Sequence, residues 1–193
     1  MSDPWYEVVD ADAPLTQGDM IFDCPLLAWD TSDLPDRVSE VNATDLKRLI
    51  GGFREDVIVM TQACDLEHRK VEDVVLCPHM SLSSFREAWE QWMSGKQQNA
   101  SEKAWRRTCE DIAAGYVWNQ TLLNGCQQPE LRMEIRVVDF HEVFTVPRAF
   151  LEMILRERNT PRQRLLPPYR EHLSQAFARF FMRVGLPQPV NLS

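Results

Sequence analysis

The run Asp56-Val-Ile-Val-Met-Thr-Gln-Ala-Cys-Asp-Leu66, followed by a charged stretch and then by Asp73-Val-Val-Leu-Cys-Pro78, constrains the fold more than any other part of the chain. Val57 to Gln62 is too short for a stable buried helix and is rich in β-branched side chains, so it predicts a strand covered on both faces. Residues 67–72 then read as a hairpin loop and Val74 to Cys77 as the partner strand, which sets Thr61 near Cys77. Thr61 and Gln62 end an apolar strand, and an unpaired polar group there costs about 1 to 3 kcal/mol, so both are expected to find hydrogen bonds inside the core. Val57, Ile58, Val59, Met60, Leu76 and Phe180 are the expected fully buried set.

Other elements follow from turn and period signals. Gln17-Gly-Asp19 is a turn, and Met20-Ile-Phe-Asp-Cys-Pro25 after it reads as a strand over 18–24 ended by its proline. Asn42 caps a short helix that runs to Ile50 and stops at Gly51-Gly52, after an aperiodic loop from Thr31 to Glu40. Residues 81–115 read as an inserted helical pair over 82–94 and 100–114. Phe85, Trp89, Trp92 and Met93 line one face of the first, and Trp105, Thr108, Cys109 and Ile112 one face of the second. Strands are expected over 116–123 and 131–146, the latter bent near His141. Helices follow over 148–158 and 168–184, the last one marked by Pro167-Pro168 before it and by Gly185 and Pro187 after it. Its apolar arc is Leu173, Phe177, Phe180, Phe181 and Val184.

At 193 residues the chain has room for one core and not for two ordinary domains. The expected architecture is a single α+β domain: a small, strongly bent antiparallel sheet or SH3-like barrel from strands within 17–80 and 116–147, carrying the helical insert 81–115 and an Arg-rich helical segment 148–185. No apolar stretch approaches the roughly 20 residues that cross a bilayer. The opening Met1-Ser-Asp-Pro-Trp5 is acidic where a signal peptide carries Lys or Arg, which predicts a cytoplasmic protein with no membrane association. Five cysteines without a Cys-x-x-Cys fit reduced thiols better than a disulfide framework.

The net charge of -8 is unevenly divided: residues 1–147 hold 13 Lys or Arg against 26 Asp or Glu, and residues 148–193 hold eight Arg against three Glu. Arg148, Arg156, Arg170, Arg179 and Arg183 are therefore the candidate contacts to an acidic partner protein, or a clamp onto the acidic body of the chain itself. The guanidinium fork also suits phosphates, which keeps nucleic acid open as a partner of this segment, although the acidic remainder repels a polyanion. Cys64, His68, Cys77 and His79 supply four zinc-type ligands within 16 residues, but their spacing matches no common zinc motif, and no phosphate loop occurs, so no cofactor is expected. Asp65, Glu67, Glu72 and Asp73 read as a solvated hairpin tip balanced by His68, Arg69 and Lys70.

The order Gln17-Gly-Asp-Met-Ile-Phe22, Arg54-Glu-Asp-Val-Ile-Val-Met-Thr61 and Val137-Val-Asp-Phe-His-Glu-Val-Phe-Thr-Val-Pro-Arg148 resembles the SH3-like barrels of MazF and PemK toxins. That resemblance implies an endoribonuclease in which Arg54 would stand just before the second core strand. A Thr or Ser would end the next strand, where this chain has Cys77-Pro78, and the nearest hydroxyl is Thr61. The segment Thr61-Gln-Ala-Cys-Asp-Leu-Glu67 also resembles a core shared by bacterial proteins of uncharacterised activity. The reading these observations favour is a non-catalytic binding module with a toxin-like barrel that holds a protein partner. A diverged endoribonuclease using Arg54 and Thr61 is the first alternative, and a zinc protein the second.

Overall fold

The computed structural model describes residues 4–30, 32, 42–129 and 132–182. In chain order the elements are β1 (Tyr6–Val9), β2 (Met20–Trp29), α1 (Ala43–Arg48), β3 (Ile50–Val59), α2 (Ala63–Glu67), β4 (Asp73–Ser81), α3 (Leu82–Gly95), α4 (Glu102–Ala113), β5 (Gln120–Leu123), β6 (Arg136–Asp139), β7 (Phe144–Pro147), α5 (Arg148–Arg158), β8 (Arg162–Leu165) and α6 (Tyr169–Phe181). The main sheet has the order β2-β3-β4-β6-β5, with β7 also paired to β4. A second, two-stranded sheet joins β1 to β8. Every pairing is antiparallel.

The apolar run in β3 is continuous because both of its faces are covered. Ile58 and Met60 belong to one buried cluster with Met20, Cys77, Val138, Phe140 and Leu173, so this face lies under α6. Val57 and Val59 belong to the other, with Ile21, Leu26, Leu76, Leu151 and Leu155, so that face lies under α5. Five of the six residues expected to be fully buried are so; Phe180 is half-buried at the edge of α6.

β7 and β6 pair with successive halves of β4, on the side opposite β3. Phe53 of β3 and Phe144 of β7 nevertheless stand 5.6 Å apart, so the sheet curls strongly. It is not closed into a barrel: β2 and β7 are not hydrogen-bonded to each other, which corrects the barrel half of the expectation.

Local departures from the sequence reading have identifiable causes. β2 continues through Pro25 to Trp29 because it is an edge strand, where a missing N–H removes no ladder bond. Gly51 and Gly52 do not end the helix before them; they lie in β3, opposite Ala28 and Leu27. The loop expected over 67–72 is shortened by α2, and the register sets Ile58, not Thr61, opposite Cys77. Thr61 instead accepts a hydrogen bond from the Val75 N–H (2.7 Å), while Gln62 is exposed and not held in the core. The strand expected over 116–123 begins only at Gln120, and that over 131–146 is split into β6 and β7.

The small sheet is fastened to the large one at Gly18. Its φ of +85° suits glycine, and a Cβ there would meet the Leu165 Cβ at 3.0 Å. The Gly18 N–H donates to Val59 (2.9 Å) and its carbonyl accepts from Leu165 (3.0 Å), while the Asp19 carbonyl accepts from Val59 (2.9 Å) and Asp19 bridges to Arg164, so β3 and β8 meet through these two residues. Asp19, 0 % exposed, also accepts from Arg162 Nε (2.9 Å), Arg164 Nε (2.5 Å) and the Thr16 N–H (3.1 Å). Arg162 also donates to the carbonyls of Asp10, Ala13 and Pro14, which ties down the loop after β1.

Candidate functional site

The arginines of the C-terminal quarter are largely occupied within the chain. Arg148 pairs with Glu152 (3.1 Å) and reaches the Leu66 carbonyl (3.4 Å). Arg170 pairs with Glu171 (2.7 Å), and Arg179 stacks over Trp118 with its guanidinium carbon 5.7 Å from the ring centre. Arg158 donates to the carbonyls of Phe22 and Asp23, and Arg162 and Arg164 hold Asp19. Arg156 is exposed on α5, and Arg183 lies outside the described residues.

Arg54 and Thr61 are not brought together. They lie seven residues apart along the direction of β3, which at 3.2 to 3.4 Å per residue separates them by about 20 Å. Arg54 binds the Asp23 carboxylate (2.7 Å) and carbonyl (3.2 Å) at the bulge of β2, and Thr61 is spent on Val75. The four zinc-type ligands are likewise dispersed: Cys64 on α2 and His68 just after it are exposed, whereas Cys77 and His79 are buried in β4. Among the described residues no three His, Cys, Asp or Glu side chains form a metal-binding group. Burial pushes the Cys77 thiol up to about 12, the opposite of what a ligand or nucleophile needs.

A polar cleft of about 410 Å³ lies between β2, β3, β4 and the start of α3, lined by Asp23, Arg54, Glu55, Asp56, His79, Ser81, Ser84 and Arg136 among others. Its inner wall is a chain of three side chains. Asp56 accepts from Arg136 (2.5 Å), and Arg136 Nε donates to His79 Nδ1 (2.9 Å). The Arg136 guanidinium and the His79 ring both pack on Phe22. With Nδ1 accepting, the hydrogen of the neutral ring resides on Nε2. His79 is 1 % exposed; burial first, and then the Arg136 charge, push its pKa down to about 3, the Val57 backbone acting the other way. Its lone pair is committed to Arg136, so it is not available as a general base, and the three residues tie β3, β4 and β6 together. The backbone N–H groups at the start of α3 are also taken, by Ile135, Glu134 and Ser81, so the cleft offers no anion site there.

The buried histidine gives stability a pH dependence whose sign is fixed. The unfolded chain takes up a proton at His79 near pH 6.5, whereas the folded chain resists it to about 3. The full contribution is present above pH 6.5, and about 1.4 kcal/mol is lost per pH unit below it. Urea unfolding at pH 7.5 and pH 5 is therefore expected to show about 2 kcal/mol more loss in the wild type than in His79→Gln. Burial and the charges of Asp56 and Glu142 raise the Glu55 pKa, an effect of opposite sign that both proteins share. Equal pH slopes in the two would contradict the assignment.

A larger feature lies where the barrel fails to close. The outer halves of β2 and β3 face β7 across a groove of about 1180 Å³, lined by Pro25, Leu26, Leu27, Ala28 and Trp29 on one side and by Val143 to Pro147 on the other. Phe53 and Phe150 lie within it, and its polar side chains are Arg54 and Thr145. Leu27 is 71 % exposed and Trp29 60 %. Adjacent apolar side chains this open are unusual on a monomer and mark interaction surfaces. The volume exceeds the 300 to 1,000 Å³ or so of small-molecule sites. Among the described residues β7 pairs with β4 alone, and β2 beyond the bulge with β3 alone, so each presents a free strand edge. The sequence held a signal for this groove in Leu26-Leu-Ala-Trp29: apolar residues occupy both strand faces after Pro25, where a solvated face calls for polar ones.

No protein-family model matches the chain, and no curated protein matches it. Among the described residues no helix is long and apolar enough to cross a membrane.

Proposed function

We propose that this protein is a non-catalytic binding module that holds a segment of a partner protein in the groove between β2 and β7. The observation that carries the reading is the coincidence of two strand edges that are unpaired among the described residues with exposed Leu27 and Trp29 in one apolar groove. Strand edges left open invite pairing with another chain unless they are covered. The arginines that would otherwise be candidate contacts are satisfied within the chain at Arg148, Arg170 and Arg179, which moves the expected contact from the C-terminal segment to the groove. The separation of Arg54 from Thr61 also favours this reading over a toxin-like ribonuclease that would use the two together.

A photo-crosslinking amino acid placed at Leu27 or Trp29 in cells is expected to give a discrete protein adduct. The same group at Trp92, an exposed aromatic on α3, is expected to give none. Identical adducts at all three positions would contradict a dedicated groove. Purified protein is expected to leave single-stranded RNA intact; cleavage that disappears in Arg54→Ala would replace this reading with the ribonuclease.

A further inference from the structure

The last turn of α6 lies beside one end of the groove. Phe180 packs edge-on against His141 with ring centres 5.2 Å apart, and Val143, which lines the groove, follows His141 by two residues. Eleven residues, 183–193, follow Met182 in the sequence. Two residues of chain span at most about 7 Å and eleven about 36 Å, so this stretch is long enough to enter the groove along its β7 wall. Its composition fits that surface. After Arg183 it carries no charged side chain, and the groove holds only the charge of Arg54, itself paired with Asp23. Uncharged residues enter such a groove without the cost of desolvating an ion. Leu186, Val190 and Leu192 all stand at even positions, which an extended chain places on one side. Pro187 and Pro189 flank Gln188; they oppose a helix and have no N–H for burial to leave unpaired.

Resting on the binding-module reading, we propose that the groove is regulated from within: residues 186–192 of the same chain occupy it through Leu186, Val190 and Leu192, and a partner segment binds by displacing them. A short tether holds such a segment at an effective concentration in the millimolar range, so contacts too weak to retain a free peptide are enough. Leu27 and Trp29 are then covered until the partner arrives, and only a partner that competes with this internal segment is held.

A photo-crosslinking amino acid at Leu27 in the purified full chain tests this. Illumination is expected to give an adduct within the monomer, mapped by mass spectrometry to the tryptic peptide 184–193. Leu186→Ser/Val190→Ser/Leu192→Ser leaves the reach of the segment unchanged and is expected to lower that yield at least fivefold. The same crosslinker at Trp92 is expected to give none of it. In cells the triple serine variant is expected to raise the yield of partner adduct at Leu27 at least threefold. A monomer without the internal adduct, an adduct that survives the serine substitutions, or one that joins two copies overturns the internal occupant. Partner adduct that forms in cells at the same yield in both chains overturns the regulation and leaves the groove as a partner site. No partner adduct from either chain overturns the binding-module reading, and the regulation with it.

Discussion

Asp19→Ala is expected to lower stability by about 3 to 5 kcal/mol, the range found when one partner of a buried ion pair is removed. Asp19 is 0 % exposed, and the side chains of Arg162 and Arg164 that bind it are 4 % and 16 % exposed. Without the carboxylate, Arg162 is left in the interior with only the carbonyls of Asp10, Ala13 and Pro14 to meet it, and Arg164 with the Pro14 carbonyl and a Glu7 carboxylate 4.0 Å away. For a chain of this size about 2 to 4 °C is lost per kcal/mol, so the melting temperature falls by roughly 6 to 20 °C. Circular dichroism checks this directly. A fall below about 2 °C would mean that Arg162 and Arg164 escape to water, and that the contact between the two sheets rests on Gly18 and Leu165 instead.

Phe140→Ala is the second large loss, again about 3 to 5 kcal/mol, through a different mechanism. The ring is fully buried, edge-on to Phe177 at 5.6 Å and tilted against Phe180 at 6.3 Å, so it anchors α6 to the sheet. Truncation leaves a cavity that the paired backbone of β5 and β6 cannot collapse to fill. Phe181→Ala on the same helix is the control: at 60 % exposure it is expected to change stability by no more than about 0.5 kcal/mol. Hydrogen exchange adds a local readout, since amides of α6 should lose protection in Phe140→Ala before those of β3. Similar losses in the two variants would place the α6 anchor elsewhere.

These two sites also show which parts of the fold local sequence can carry. Helices expected over 82–94, 100–114 and 148–158 run over Leu82–Gly95, Glu102–Ala113 and Arg148–Arg158, because caps and apolar period act within one segment. Ser101 caps α4 by accepting from the Ala104 N–H, and Ser81 caps α3 by accepting from the Ser84 N–H. The expected helix over 168–184 extends past the described residues; α6 spans Tyr169–Phe181.

β8 was not legible. Arg162-Gln-Arg-Leu165 has the composition of a solvated loop, and its first three residues are buried or half-buried only because Asp19 and the backbone of residues 10–14 receive them. That information lies far away in the chain, as does the partner that makes Tyr6–Val9 a strand. The groove was hidden for a related reason. Leu27 and Trp29 lie beyond a proline that ends most strands, and only the edge position of β2 lets the strand pass through it. The arginine-rich quarter was conspicuous as a charge imbalance, yet Arg148, Arg158, Arg162, Arg164 and Arg170 meet carboxylates of the chain itself, which composition cannot distinguish from an external contact.

The bond between Asp19 and Arg162 spans 143 residues of chain. At the usual 5 to 20 residues per second of synthesis, a nascent chain carries the carboxylate for roughly 7 to 30 s before its first counter-ion is made. During that interval an ionised Asp19 is stable only in water, so the start of β2 cannot settle beside β3 in its final place, however strongly Met20 and Ile21 favour burial. The start of β2 is therefore expected to lock late although it is made early, leaving the apolar surface of β3 in need of protection until Arg162 and Arg164 emerge.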